Sequence, residues 1–142
     1  MTENKILSKS WTSCPTELCD IRQSVKQSCA DLCYPTDDTN LIVLAIDEAC
    51  TNIMRYAYND CLDGEILIEI FIEQNQAIFI LHDHAKQVSS DCIKIKQTSR
   101  LEPGGLGLVL MNEIMDSVEF IHTEHCPGNI LEMKKSLPKE KT

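Results

Sequence analysis

Between residues 42 and 53 the apolar positions recur every three or four residues, at Ile42, Ala45, Ile46, Ala49 and Ile53. That is the period of a helix with one buried face. Acidic residues at Asp37 and Asp38 suit the N-terminal dipole of such a helix, so the spacing predicts a helix from near Thr36 to about Ala57. Upstream, Leu18, Ile21, Val25 and Cys29 keep the same period behind Ser13 and Pro15, which read as a helix start. Tyr34-Pro35 closes that helix, because the residue before a proline is pushed out of helical geometry. Residues from Ile6 to Trp11 form a first strand.

After the turn signals Asn59, Asp60, Asp63 and Gly64 the period drops to two. In GEILIEIFIE (64–73), Ile66, Ile68 and Ile70 fall on one side and Leu67, Glu69 and Phe71 on the other. A tight link at Gln74-Asn75 leads into a second strand, QAIFILHD (76–83). Residues 84–103 hold neither period and read as a polar loop with room for one helical turn. PGGLGLVLMNEIMDSV then gives a glycine-rich entry into an apolar helix, and VEFIHTE and NILEMKKSL are two closing strands around Cys126-Pro127-Gly128.

The order is strand, two helices, two strands, loop, helix, two strands. Strands joined by short links pair antiparallel. The expected fold is therefore an α/β two-layer sandwich: a mixed, mostly antiparallel sheet with three main helices on one face. At 142 residues the chain is expected to be one domain over 1–142, with 138–142 a flexible tail.

Charge narrows the partners. A formal charge of −9 argues against direct nucleic-acid or membrane binding, and no apolar run reaches the length of a membrane span or a leader's core. Eight cysteines without a secretory signal, and without a C-x-x-C pair, read as free thiols serving as small apolar residues of a cytoplasmic protein. His122, His125 and Cys126 read as a polar turn before Pro127-Gly128.

Three groups carry candidate chemistry. In DEACTNIMRYAY (47–58), Glu48 and Asn52 stand one turn apart on one helix face, beside Thr51. A carboxylate there can take a proton from a hydroxyl, and an amide oxygen is a hard ligand suited to Mg²⁺. On its own the pair is also what a solvated helix edge looks like. In PGGLGL (103–108), Gly104, Gly105 and Gly107 lie where a helix begins, and bare backbone N–H groups with a helix dipole favour an anion. A loop and N-cap would fit the same residues. Asp83, at a strand end, can accept a hydrogen bond from an exocyclic amine such as that of adenine, or be a surface turn residue.

In this order, helix Glu-x-x-x-Asn, strand-end Asp and Gly-x-Gly opening a helix, the residues resemble the Bergerat-fold ATPases, the superfamily of gyrase, Hsp90, histidine kinases and MutL. The similarity is greater to the small anti-sigma-factor serine/threonine kinases of bacterial stress and sporulation switches. DEACTNIMRYAY resembles their N-box, DEA-x-TN-x-x-x-HAY; GGLGLVLMNEIMDSVEF is similar to their second glycine box and GNILEMKKSL to their closing strand. The resemblance implies ATP and Mg²⁺ as cofactors. It implies Glu48 as general base, Asn52 as the Mg²⁺ ligand, and nucleotide contacts at Asn52, Asp83, Ala85, Gly104, Gly105, Leu106, Gly107 and Leu108. Arg22 resembles a partner-contacting arginine. The implied partners are a sigma factor, held from RNA polymerase, and a STAS-domain antagonist phosphorylated on serine or threonine. Family members commonly dimerise, so a homodimer is implied as well.

The first glycine box departs from the family's Asp-x-Gly-x-Gly, since residues 83–87 read DHAKQ and Ala85 and Gln87 replace both glycines. Tyr56 stands where the N-box has its histidine. These changes keep open a second function, a catalytically weak or inactive binding module that regulates a sigma factor or STAS partner by sequestration. A metal-binding regulator built on His82, His84 and cysteines is the third alternative.

Overall fold

Five strands and three helices make up the computed structural model, which describes residues 4–84, 103–121 and 128–138. In chain order they are β1 (Asn4–Thr12), α1 (Leu18–Asp31), α2 (Thr36–Asn52), β2 (Glu65–Glu73), β3 (Gln76–Asp83), α3 (Pro103–Ile114), β4 (Ser117–Ile121) and β5 (Asn129–Ser136). A 3-10 turn over Pro15–Glu17 leads into α1, and a π-helical turn over Ile53–Ala57 extends α2. The strands lie in the order β1-β2-β3-β5-β4, and all four pairings are antiparallel, the limiting case of the expected mostly antiparallel sheet. The two-layer α/β architecture is the one the periodicities predict.

Local chemistry explains the element ends. Residues Gln74 and Asn75 both take left-handed backbone angles (φ 51° and 65°), as a two-residue hairpin turn requires. The first helix stops at Asp31, three residues before the expected break at Tyr34-Pro35. Cys33 is left-handed (φ 67°), its N–H bonds to Ala30 O and the N–H of Tyr34 reaches back to Cys29 O. That pair of bonds satisfies carbonyls left open at the helix end. Pro35 then precedes the first residue of α2.

The core lies between the sheet and the helices. Alternation along β2 buries Ile66, Ile68 and Ile70 completely, and neighbours in register extend these rows across the sheet: Ile68–Leu81–Leu131 and Ile70–Phe79–Met133. Helix α2 presents Ile42, Ala45, Ile46 and Ala49 to them, α1 presents Ile21, Val25 and Cys29, and α3 adds Met111, Ile114 and the following Met115. None of the six described cysteines is in a disulfide, but only Cys29 and Cys50 are buried; the apolar role expected for the cysteines fits these two. Burial pushes the Cys29 thiol up to about 12, which leaves it protonated and inert.

Side chains anchor the helices to one end of the sheet. The Tyr34 hydroxyl, just before α2, bonds to the carbonyl of Ser136 at 2.9 Å. Lys135 Nζ donates to the last carbonyl of α3, Ile114 O, at 2.9 Å. Asp116 accepts the backbone N–H of Ser136 at 2.7 Å and its hydroxyl at 2.8 Å. Helix α2 therefore starts, and α3 ends, at the edge where β5 finishes. The two helices run in opposite directions. The end of α2 and the α3 residues Leu108 and Met111 consequently meet at the opposite end of the strands, where β3 ends in Asp83.

The Asp116 anchor carries a pH signature. Its backbone bond from Ser136, then the serine hydroxyl, hold its carboxyl below the ordinary carboxylate range. A pKa lower in the fold than in the unfolded chain stabilises the fold above an unfolded value of about 3.9, and that stability is lost as the pH falls further, through the folded value. Thermal melts of Asp116→Asn are expected to lie below wild type at neutral pH, and the gap is expected to narrow as the pH falls below about 3.9. A gap independent of pH would rule out the ionised Asp116 contact.

The polar stretch after His84, with Ala85 and Gln87, lies outside the described residues, as do His122, His125, Cys126 and the end of the tail. Among the described residues, no helix is long and apolar enough to cross a membrane.

Candidate functional site

Asp83 occupies a position that the sheet pattern reserves for an apolar side chain. It is the inward row mate of Ile66, itself opposite Trp11, and its other neighbour is Asn129. Only 3% of Asp83 is exposed, and it is the one carboxylate among the buried described residues. A charge in that setting needs donors. Asn129 supplies two to Asp83 Oδ1, its side-chain amide at 3.0 Å and its backbone N–H at 3.3 Å. Gly128 makes this approach feasible: its backbone is left-handed (φ 94°), and a Cβ there would sit 1.9 Å from the Asp83 carbonyl oxygen. No side chain fits. The expected alternative, a surface turn aspartate, is excluded by the burial.

Beside Asp83 opens a hollow of about 90 Å³. Its walls come from four directions: Ala49, Asn52, Ile53, Tyr56 and Ala57 from α2 and the π turn, Leu81 and Asp83 from β3, Leu108 and Met111 from α3, and Phe120, Asn129, Ile130 and Leu131 from the last two strands. Most of these side chains are apolar; the polar ones are Asn52, Tyr56, Asp83 and Asn129, of which Asp83 and Asn129 are hydrogen-bonded to each other. Such walls suit the faces of an aromatic ring, with a buried acceptor at its edge.

Residue by residue, Asn52, Asp83 and Leu108 are brought to one hollow. Gly104, Gly105, Leu106 and Gly107 fall in the first turns of α3, so the glycines lie within the helix start rather than in a loop ahead of it. Glu48 is half-buried on α2, one turn before Asn52, and flanks the hollow rather than lining it. Thr51 turns back to bond the Asp47 carbonyl at 2.9 Å and offers its hydroxyl to its own helix. Arg22 joins α1 to α2 through a 2.7 Å ion pair with Asp47, next to Glu48. Ala85 lies outside the described residues.

The described histidines, His82 and His84, go elsewhere. His82 pairs with Glu69 at 3.1 Å and His84 with Glu65 at 2.8 Å. Among the described residues, no group of three or more His, Cys, Asp or Glu side chains could hold a metal ion.

Sequence reasoning noted Tyr56 only as a departure from the N-box and missed Met111, Phe120 and Asn129. Tyr56 alone had a local signal, since it stands four residues beyond Asn52 on the same face. The other three reach the hollow only through sheet order and helix packing.

The family model for the histidine kinase-like ATPase domain matches residues 12–135. Among curated proteins, the chain is similar to the serine-protein kinase RsbW of Bacillus thuringiensis (strain Al Hakam) and to that of Bacillus cereus (strain 03BB102). Each is 33% identical, over 75% of this chain and 69% of the relative. RsbW of Bacillus cereus (strain AH187) matches at the same identity and coverage. A buried acceptor at the end of β3, an amide at the end of α2 and Leu108 of α3 thus line one hollow in a chain that belongs to the histidine kinase-like ATPase family.

Proposed function

We propose that this chain is an ATP-dependent protein kinase that acts as an anti-sigma factor, holding a sigma factor and phosphorylating a serine or threonine of a STAS-domain antagonist in the cytoplasm. The observation that carries the reading is the convergence of Asn52, Asp83 and Leu108 on one hollow. In this reading the adenine ring lies between the apolar walls with its amine donating to Asp83. The triphosphate lies toward Asn52 and the first turn of α3, where glycine N–H groups and the helix dipole favour negative charge.

The donor set fits Mg²⁺. Asn52 offers a hard oxygen, and Mg²⁺ sites of this kind use one or two protein oxygens together with substrate phosphates rather than an all-protein cage. Bound there, the ion would neutralise phosphate charge. Glu48, one turn away, accepts the proton of the substrate hydroxyl as its oxygen attacks the γ-phosphorus. The new O–P bond forms, the bond from the γ-phosphorus to the bridging oxygen breaks, and ADP leaves. Arg22, tied to Asp47 yet half-exposed, is proposed to face the partner.

A second reading has its own support: Ala85 and Gln87 stand where the family has glycines. Side chains at those positions oppose close backbone approach to a ligand, which favours a binding module with little or no phosphotransfer. Titration with ATP in the presence of Mg²⁺, followed by incubation with a STAS-domain protein, separates the two. Saturable binding and a new phosphoserine or phosphothreonine are expected. Absence of nucleotide binding would leave the module.

A further inference from the structure

The β2–β3 ladder ends abruptly at the pair Ile66–Asp83. Counting from the hairpin turn, the next pair, Glu65 and His84, is one in which antiparallel strands exchange hydrogen bonds. A side chain stands in its place. The Tyr58 hydroxyl accepts the N–H of His84 at 2.8 Å and that of Glu65 at 3.2 Å, and donates to the Glu65 carbonyl at 2.5 Å. Burial pushes this phenol above its ordinary value, so it keeps the proton that the Glu65 bond needs.

The ring is held as firmly as the hydroxyl. Gly64 lies against it so closely that a Cβ would fall 2.5–2.6 Å from three ring carbons. The backbone N–H of Tyr58 closes the π turn on Ile53 O at 3.0 Å, and Ile53 lines the hollow. One side chain thus spans the end of the helix that carries Asn52, the start of β2 and the residue directly after Asp83.

We propose that Tyr58 is a positioning residue for base recognition: by taking the place of the last rung of the ladder, it fixes the strand end from which Asp83 addresses the purine. The role rests on the nucleotide reading above. It acts through the backbone beside Asp83, so its signature is selectivity rather than general affinity.

Inosine diphosphate carries a keto oxygen where adenosine diphosphate carries its amine, so the ratio of the two affinities reports on Asp83. Tyr58→Phe removes the hydroxyl, and Gly64→Ala keeps it but displaces the ring. Dissociation constants for ADP and IDP are to be measured for wild type and both variants, alongside thermal melting. Wild type is expected to prefer ADP. In each variant ADP affinity is expected to fall about five- to tenfold with IDP affinity nearly unchanged, the effect of one misaligned hydrogen bond. Should Tyr58→Phe fail to fold, Gly64→Ala decides. Equal losses for both nucleotides assign Tyr58 to the fold alone and overturn the role. Retained ADP preference in a folded variant overturns it too, as does a wild type that binds both alike. A wild type that binds neither overturns the nucleotide reading itself.

Discussion

Glu48→Gln is expected to lower phosphate transfer to a protein hydroxyl by about 10²–10⁴-fold, the range for removing a positioned general base. Glutamine keeps the shape and most of the polarity of the side chain but cannot take the proton. Because Glu48 flanks the hollow without lining it, nucleotide affinity is expected to stay within about twofold of wild type, as for an interaction made only in the transition state. Single-turnover transfer and nucleotide titration on the same preparation give both numbers. A variant that transfers phosphate at the wild-type rate removes Glu48 from the chemistry.

Asn52→Ala is expected to act on binding instead. Losing one hard oxygen beside a metal and phosphate charge should weaken Mg-ATP binding about 10- to 100-fold, the scale of a hydrogen bond to a charged group. It should also shrink the difference between titrations with Mg²⁺ and with a chelator. Unfolding is a poor explanation for such a loss. Alanine is a better helix former than asparagine, and the Asn52 side chain makes no capping bond to the π turn it precedes. Unchanged Mg²⁺ dependence would take the metal away from Asn52.

Much of this was legible in the chain because periodicity is a local signal. The alternation in 66–71 and the three-four spacing in 42–53 give the layers and their buried faces directly. The end of α1 was less legible: a cysteine in left-handed geometry stops it before the proline, and such a cap is normally announced by glycine. At the site, Glu48, Asn52 and the glycines of 104–107 stood out because their residue types are odd for their helical positions. Asn129 did not. Its importance comes from facing Asp83 across two strands 46 residues apart in sequence, and no local pattern encodes that register. Tyr58 closes the N-box stretch and was in view, but its role was hidden, its partners being backbone groups of Glu65 and His84.

The opposed directions of α2 and α3 divide the labour within the molecule. Tyr34, Lys135 and Asp116 moor both helices at one rim, while Asn52, Asp83 and Leu108, proposed to handle nucleotide, sit at the other. Substitutions can therefore erode the moorings without touching reactivity, and the reactive rim can drift in sequence without loosening the foundations. A sequestering module evolved from a kinase, or the reverse, would need changes along a single rim of the sheet.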